Sequence, residues 1–225
     1  MGGFFSSDGP LYQLLDRVGH LILLNLVWLL CCLPVVTIIP ATTAFYYATI
    51  KSIRRGRGYP LVEYWGAFKR NLKRGIPFDI ALVALGLLLT YNYKVAAAAG
   101  TKQSVVFSMI YLVMLFCFAG FVIYICPVLS RFSIRVRRLA GMAFGMVFRH
   151  LPITVLLIAG TVGCGVLLLS AVEAASSVKQ GVNPMVALLL LLPGGWCYVS
   201  TFLVEPVLKK YMPPKQEGDD SWYYE

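Results

Sequence analysis

Asn25-Leu-Val-Trp28-Leu-Leu-Cys31-Cys32-Leu-Pro34-Val-Val-Thr37-Ile-Ile-Pro40-Ala-Thr-Thr43-Ala-Phe-Tyr-Tyr47 is a run without one charged side chain. A bilayer core of roughly 30 Å takes about 20 such residues as one helix. The same texture extends along the 225-residue chain, of which 59% is apolar and 13% charged, with a mean hydropathy of +0.75. Soluble proteins carry about 25% charged residues, and a water-soluble fold cannot hide this much apolar surface. The expectation is an all-α, polytopic membrane helix bundle. Soluble nucleotide-binding folds, secreted disulfide scaffolds and disordered chains are excluded on composition.

Five apolar spans follow outward from that stretch, at residues 18–39, 76–97, 105–126, 151–171 and 184–208. They form one transmembrane domain over 1–212, followed by a short polar tail, 213–225, expected to be disordered with Trp222, Tyr223 and Tyr224 touching the interface. Residues 1–10 lack a basic region and no small-residue cleavage site follows, so the first helix is expected to stay in the chain. The segment 41–50 is apolar but too short to span, and Pro40 precedes it. It reads as a helix leaving the membrane, with a re-entrant hairpin as the alternative.

The net charge of +10 does not imply nucleic acid, because the basic residues sit between apolar segments. They report orientation. Sixteen of the 20 Lys and Arg fall in two loops and the C-terminal stretch on one side, against Arg17, Lys94, Lys102 and Lys179 on the other. That places the basic loops and C-terminus in the cytoplasm and the N-terminus outside. Each basic loop is also amphipathic. Leu61, Trp65, Phe68 and Leu72 oppose Lys69, Arg70, Lys73 and Arg74; Val136, Leu139, Ala143 and Val147 oppose Arg131, Arg135 and Arg138. Such helices suit the headgroup plane of anionic lipid.

The chain repeats internally. A shift of 75 lays Gly66 on Gly141, Arg74 on Arg149 and Pro77 on Pro152; a shift of 87 lays Ile38 on Ile125, Pro40 on Pro127 and Phe45 on Phe132. Two parallel copies, about 18–97 and 105–171, plus a fifth helix at 184–208 are expected. Spans one and three would then run the same way. Pro77 and Pro152 suit the first turn of their membrane helices, whereas Pro40, Pro127 and Pro193 mark helix breaks, Pro193-Gly194-Gly195 also suiting a close crossing.

Candidate chemistry is sparse. Only Asp79 and Glu205 are ionisable groups inside spans, where burial is expensive. Arg74, Arg131 and Arg149 lie at the same depth, so a buried ion pair or a partner contact is expected. Cys31, Cys32, Cys117, Cys126, Cys164 and Cys197 fall inside apolar segments without metal-ligand spacing and read as small fillers. His20 and His150 lie near helix ends. No nucleophile triad, phosphate cradle or zinc motif is present, so neither enzyme activity nor a cofactor is expected. Gly56-Arg57-Gly58 reads as a turn.

The stretch from Asn25 to Tyr47 resembles the hallmark of the YesL-like family, bacterial membrane proteins grouped under a domain of unknown function. Cys126-Pro127-Val-Leu-Ser-Arg131-Phe132 is similar to that family's exit from its third span, and Phe148-Arg149-His150-Leu151-Pro152 to its entry to the fourth. The resemblance covers about residues 4–210. It implies a standalone protein encoded beside carbohydrate ABC importers and glycan-degrading enzymes, and it supplies no catalytic residues. The implied role is an accessory of oligosaccharide uptake contacting an ABC permease or ATPase, the alternative being a small transporter or channel. The helices entering at Gly66–Pro77 and Gly141–Pro152 are similar in position to the coupling helix of ABC permeases, but lack its Glu-Ala-Ala start and are about two residues shorter.

Overall fold

The computed structural model describes residues 10–132, 136–177 and 184–212, and of residues 10–14, 136, 171–172, 174–177 and 184–190 the backbone alone. Seven α-helices follow in order: α1 (Pro10–Cys32), α2 (Ile38–Ala48), α3 (Pro60–Ala98), α4 (Lys102–Arg131), α5 (Val136–Arg149), α6 (Leu151–Ser177) and α7 (Pro184–Lys209). No strand occurs among the described residues. In α1, α4, α6 and α7, the stretches Leu15–Cys32, Lys102–Arg131, Leu151–Ser170 and Leu191–Lys209 are long and apolar enough to cross a membrane. The expected span 76–97 is not among those four; it forms the C-terminal half of α3. That half still turns Ile80, Leu85, Leu87, Leu88, Tyr91 and Val95 outward. Apolar side chains cover the outside of the other long helices too, the surface a bilayer rather than water accommodates.

Local sequence sets the helix ends. Pro60 occupies the first turn of α3, where its missing N–H costs nothing. Gly100, with φ +64°, reverses the chain before α4. Thr101 and Ser104 then close a reciprocal cap: the Ser104 amide donates to the Thr101 hydroxyl at 3.2 Å, and the Thr101 amide to the Ser104 hydroxyl at 2.9 Å.

The first apolar run does not behave as one span. It breaks at Pro34, which introduces a 3₁₀ turn, Val35–Thr37, and the chain then doubles back as α2. Trp28 of α1 donates its indole N–H to Thr42 of α2 at 3.2 Å and stacks on Phe45 at 5.7 Å. At the other end of the hairpin, Asp16, Arg17 and His20 share a cleft with Ser52, Gly56, Gly58 and Tyr59. The described start of α1 thus lies beside the basic loop, where the sequence put it across the membrane. The physical reason is the run of small side chains in α2, with Ala41, Ala44 and Ala48 wholly buried. They let α1, α3, α4 and α7 all close on this helix, so its backbone is satisfied inside protein.

Tyr64 and Leu139, Asp79 and Thr154, and Leu82 and Leu157 are pairs related by 75 residues, and all six are buried. The equivalent of the end of α4, however, is α2 and not α1, so the expectation that spans one and three run alike fails for α1. Pro77 departs from its expected place as well. It lies inside the 39-residue α3, because one buried stripe, Tyr64, Ala67, Gly75, Asp79 and Leu82, runs straight through it. Pro152 does sit in the first turn of α6. Pro40, Pro127 and Pro193 all fall within helices and end none of them.

Leu139, Ala143, Met146 and Val147 of α5 are buried in the main core. The apolar stripe of α5 therefore meets protein where headgroups were expected. In the first copy Leu61 and Trp65 are exposed and Tyr64 and Ala67 take the buried face. Tyr64, 0% exposed, packs with Ala67 against Ala44 and Ala48 of α2, and that contact sets the rotation. The polar tail and Arg135 lie outside the described residues.

Candidate functional site

The two intramembrane acids have different fates. Glu205, on the last turns of α7, receives Arg131 Nη2 from the end of α4 at 2.6 Å. Tyr46 of α2 donates its hydroxyl to the same oxygen at 3.3 Å, and Arg55 approaches the other at 3.9 Å. Both partners of the short pair are almost wholly buried, at 2% and 5% exposure. Such a pair holds together only when geometry and extra hydrogen bonds offset the cost of removing two charges from water. Here α2, α4, α7 and the basic loop all converge on one carboxylate. Next to it, Arg54 donates to the Thr201 carbonyl at 3.2 Å and lies 4.2 Å over the Phe202 ring.

Asp79 meets no arginine among the contacts of the described residues. Its carboxylate accepts the Ile39 amide at 2.7 Å, in the first turn of α2. That turn has donors without intrahelical partners, Pro40 contributes none, and a negative charge complements the positive end of the helix. One turn earlier on α3, Gly75 lets Pro40 pack so closely that an added Cβ would stand 2.6 Å from the proline ring. Gly75 and Asp79 together form a seat for the start of α2. In the second copy Thr154 takes the position of Asp79 and bonds the Tyr124 hydroxyl and the His150 carbonyl at 3.3 and 3.0 Å.

Of the expected arginines only Arg131 reaches a carboxylate; Arg74 and Arg149 are exposed. Lys69, Arg70, Lys73 and Arg138 are exposed as well, with Lys69 5.8 Å from the Trp65 ring centre and Arg70 5.3 Å from that of Tyr47. Lys51 bonds Glu63 at 2.7 Å and closes the loop between α2 and α3. Its partial burial opposes the charged form, but the Glu63 carboxylate together with the Tyr47 hydroxyl outweighs this and raises the pKa above the usual lysine value. Sequence reasoning read Pro40 only as a helix break and missed Tyr46, Arg55 and Gly75. The spacing of Gly75 and Asp79, one turn apart on one face, was the available signal for the last of these.

Between α1, α2, α4, α6 and α7 lies a cavity of about 380 Å³. Trp28, Phe45, Ile123, Leu157, Trp196 and Val204 contribute to its mostly apolar wall. Trp196 is held by its indole N–H bond to Thr161 at 3.1 Å and presses on Gly160. Among the described residues no three His, Cys, Asp or Glu side chains converge on a metal position.

Fold and site together define an all-helical membrane protein whose buried charges tie helices to each other. Residues 21–93, from α1 through most of α3, match the family model described as "Protein of unknown function, DUF624". Over 151 residues, 65% of this chain and 70% of the relative, it is 28% identical to "Uncharacterized protein YesL" of Bacillus subtilis (strain 168). These two matches support a YesL-like DUF624 family for the chain. No solved structure matches it.

Proposed function

We propose that this chain is a non-enzymatic membrane subunit that acts by contact, as an accessory of carbohydrate (oligosaccharide) ABC uptake whose partner is the permease or its ATPase. The supporting observation is the division of charge. Glu205 and Asp79 are taken up in holding α2, whereas Lys69, Arg70, Lys73, Arg74, Arg138 and Arg149 stand exposed on α3 and α5. The excess of basic residues orients this end to the cytoplasm of the cell, where anionic headgroups add about 1 kcal/mol per basic residue near the surface. The link to carbohydrate uptake comes from the family resemblance. Affinity purification of the tagged chain from native membranes should recover a permease or ATPase subunit. Repeated recovery without either removes the main content of the proposal.

The cavity favours a second reading, a small transporter or channel. Its apolar wall suits an apolar or amphiphilic solute better than a sugar. Flux of such a solute into liposomes containing the purified protein, abolished in Trp196→Phe plus Thr161→Leu, would put this reading first. Liposomes that stay tight would end it.

A further inference from the structure

The outward face of α5 carries a gap in its side chains. Gly141 and Gly145 lie one turn apart, and a Cβ added to either meets nothing within 4 Å. Around them is a groove of about 440 Å³, bounded by Arg138, Met142, Arg149 and Tyr211. Among the described residues no carboxylate pairs with Arg138 or Arg149. Tyr211 is fixed in the groove wall by its amide bond to the Leu208 carbonyl at 3.0 Å and by edge-on contact with His150.

The chain that continues from this wall reads Pro213-Pro-Lys215-Gln-Glu217-Gly-Asp219-Asp220-Ser221-Trp222-Tyr223-Tyr224-Glu225. Four carboxylates, one lysine and three consecutive aromatic residues complement a basic groove floored by glycine. We propose that this segment docks on α5 of its own chain, with Trp222 to Tyr224 over Gly141 and Gly145 and the acids facing Arg138 and Arg149. Reach is ample. The ten residues from Met212 to Trp222 extend up to about 33–36 Å, whereas Arg138 to Arg149 is only about 16 Å of helix. Aromatic faces favour guanidinium groups at both ends of such a groove, and the tether makes the contact intramolecular. The tail and anionic headgroups then compete for the same basic residues.

The test uses the full-length chain on a cysteine-free background, with Gly141→Cys and Ser221→Cys, purified in neutral detergent and oxidised. Gly66→Cys with Ser221→Cys is the control, because Gly66 holds the equivalent place in the first copy. The Gly141 pair should form an intramolecular disulfide severalfold more efficiently than the Gly66 pair, at a yield independent of protein concentration, because the tether is common to both and only Gly141 lies in the complementary groove. Glu217→Gln, Asp219→Asn and Asp220→Asn together should lower that yield severalfold. Equal yields at Gly141 and Gly66 overturn the proposal and leave the groove to lipid headgroups. Disulfides formed only between two chains overturn it in favour of a second copy, and a yield indifferent to the neutralised acids overturns the charge pairing.

Discussion

Glu205 sits among apolar helices, where an unpaired carboxylate is expensive, and its neighbours set the outcome of changing it. Glu205→Ala leaves Arg131 buried without its short partner, so a loss of about 3–5 kcal/mol is expected. Arg131→Met combined with Glu205→Leu should recover much of that loss, because neither charge then needs a partner; Arg55, 3.9 Å away, is near enough to the loop to reach water. Thermal unfolding in detergent distinguishes the two, and a double variant no better than the single one would contradict the account. Asp79 should behave differently. Asp79→Ala orphans the Ile39 amide and should cost about 0.5–2 kcal/mol, the usual range for a lost helix cap, while Asp79→Asn keeps an acceptor and most of the stability. Gly75→Ala should cost about 1–3 kcal/mol by overpacking against Pro40. That Glu205 would meet an arginine was an expectation of the sequence, since three arginines lie at its depth, but which of Arg74, Arg131 and Arg149 it meets was not legible. The role of Asp79 was not legible either, because its partner is a backbone N–H, which no pattern of side chains reveals.

Among the elements, α2 was the hardest to read. Its composition is that of a spanning helix and its length that of a fragment, so hydropathy assigns it to whichever neighbour is longer. Only the alanines, which matter through how closely other helices approach, distinguish a buried return helix from an exit. The long apolar runs of α4, α6 and α7 were legible throughout because lipid asks nothing of them but length and hydrophobicity. The seam between α6 and α7 gives an element-scale prediction. The ring of Trp196 occupies the space that a side chain at position 160 would need. Gly160→Ala should therefore displace the indole, break its 3.1 Å bond to Thr161 and lower stability by about 1–3 kcal/mol. A shift in tryptophan emission together with a lower unfolding temperature is the expected signature; an unchanged spectrum at unchanged stability would mean the seam is looser than described.

Across the whole molecule the hairpin changes the topology expected from charge alone. On a cysteine-free background, cysteines at Asp16, Gly58 and Met142 should all resist an impermeant thiol reagent in intact cells, while Gly100→Cys reacts. Labelling at Asp16 together with protection at Gly58 would contradict the shared cleft of α1 and the basic loop. The sequence repeat was legible as a pattern, but the pattern could not say that the first copy fuses into one helix what the second divides at His150. That division is a mechanical asymmetry. At 1.5 Å per residue, α3 is a strut of about 58 Å, from the basic end at Pro60 to the far turn at Gly100. Between the Pro40 contact at Gly75 and the far turn the first copy has no break in its helix, whereas the second changes direction at His150, between α5 and α6.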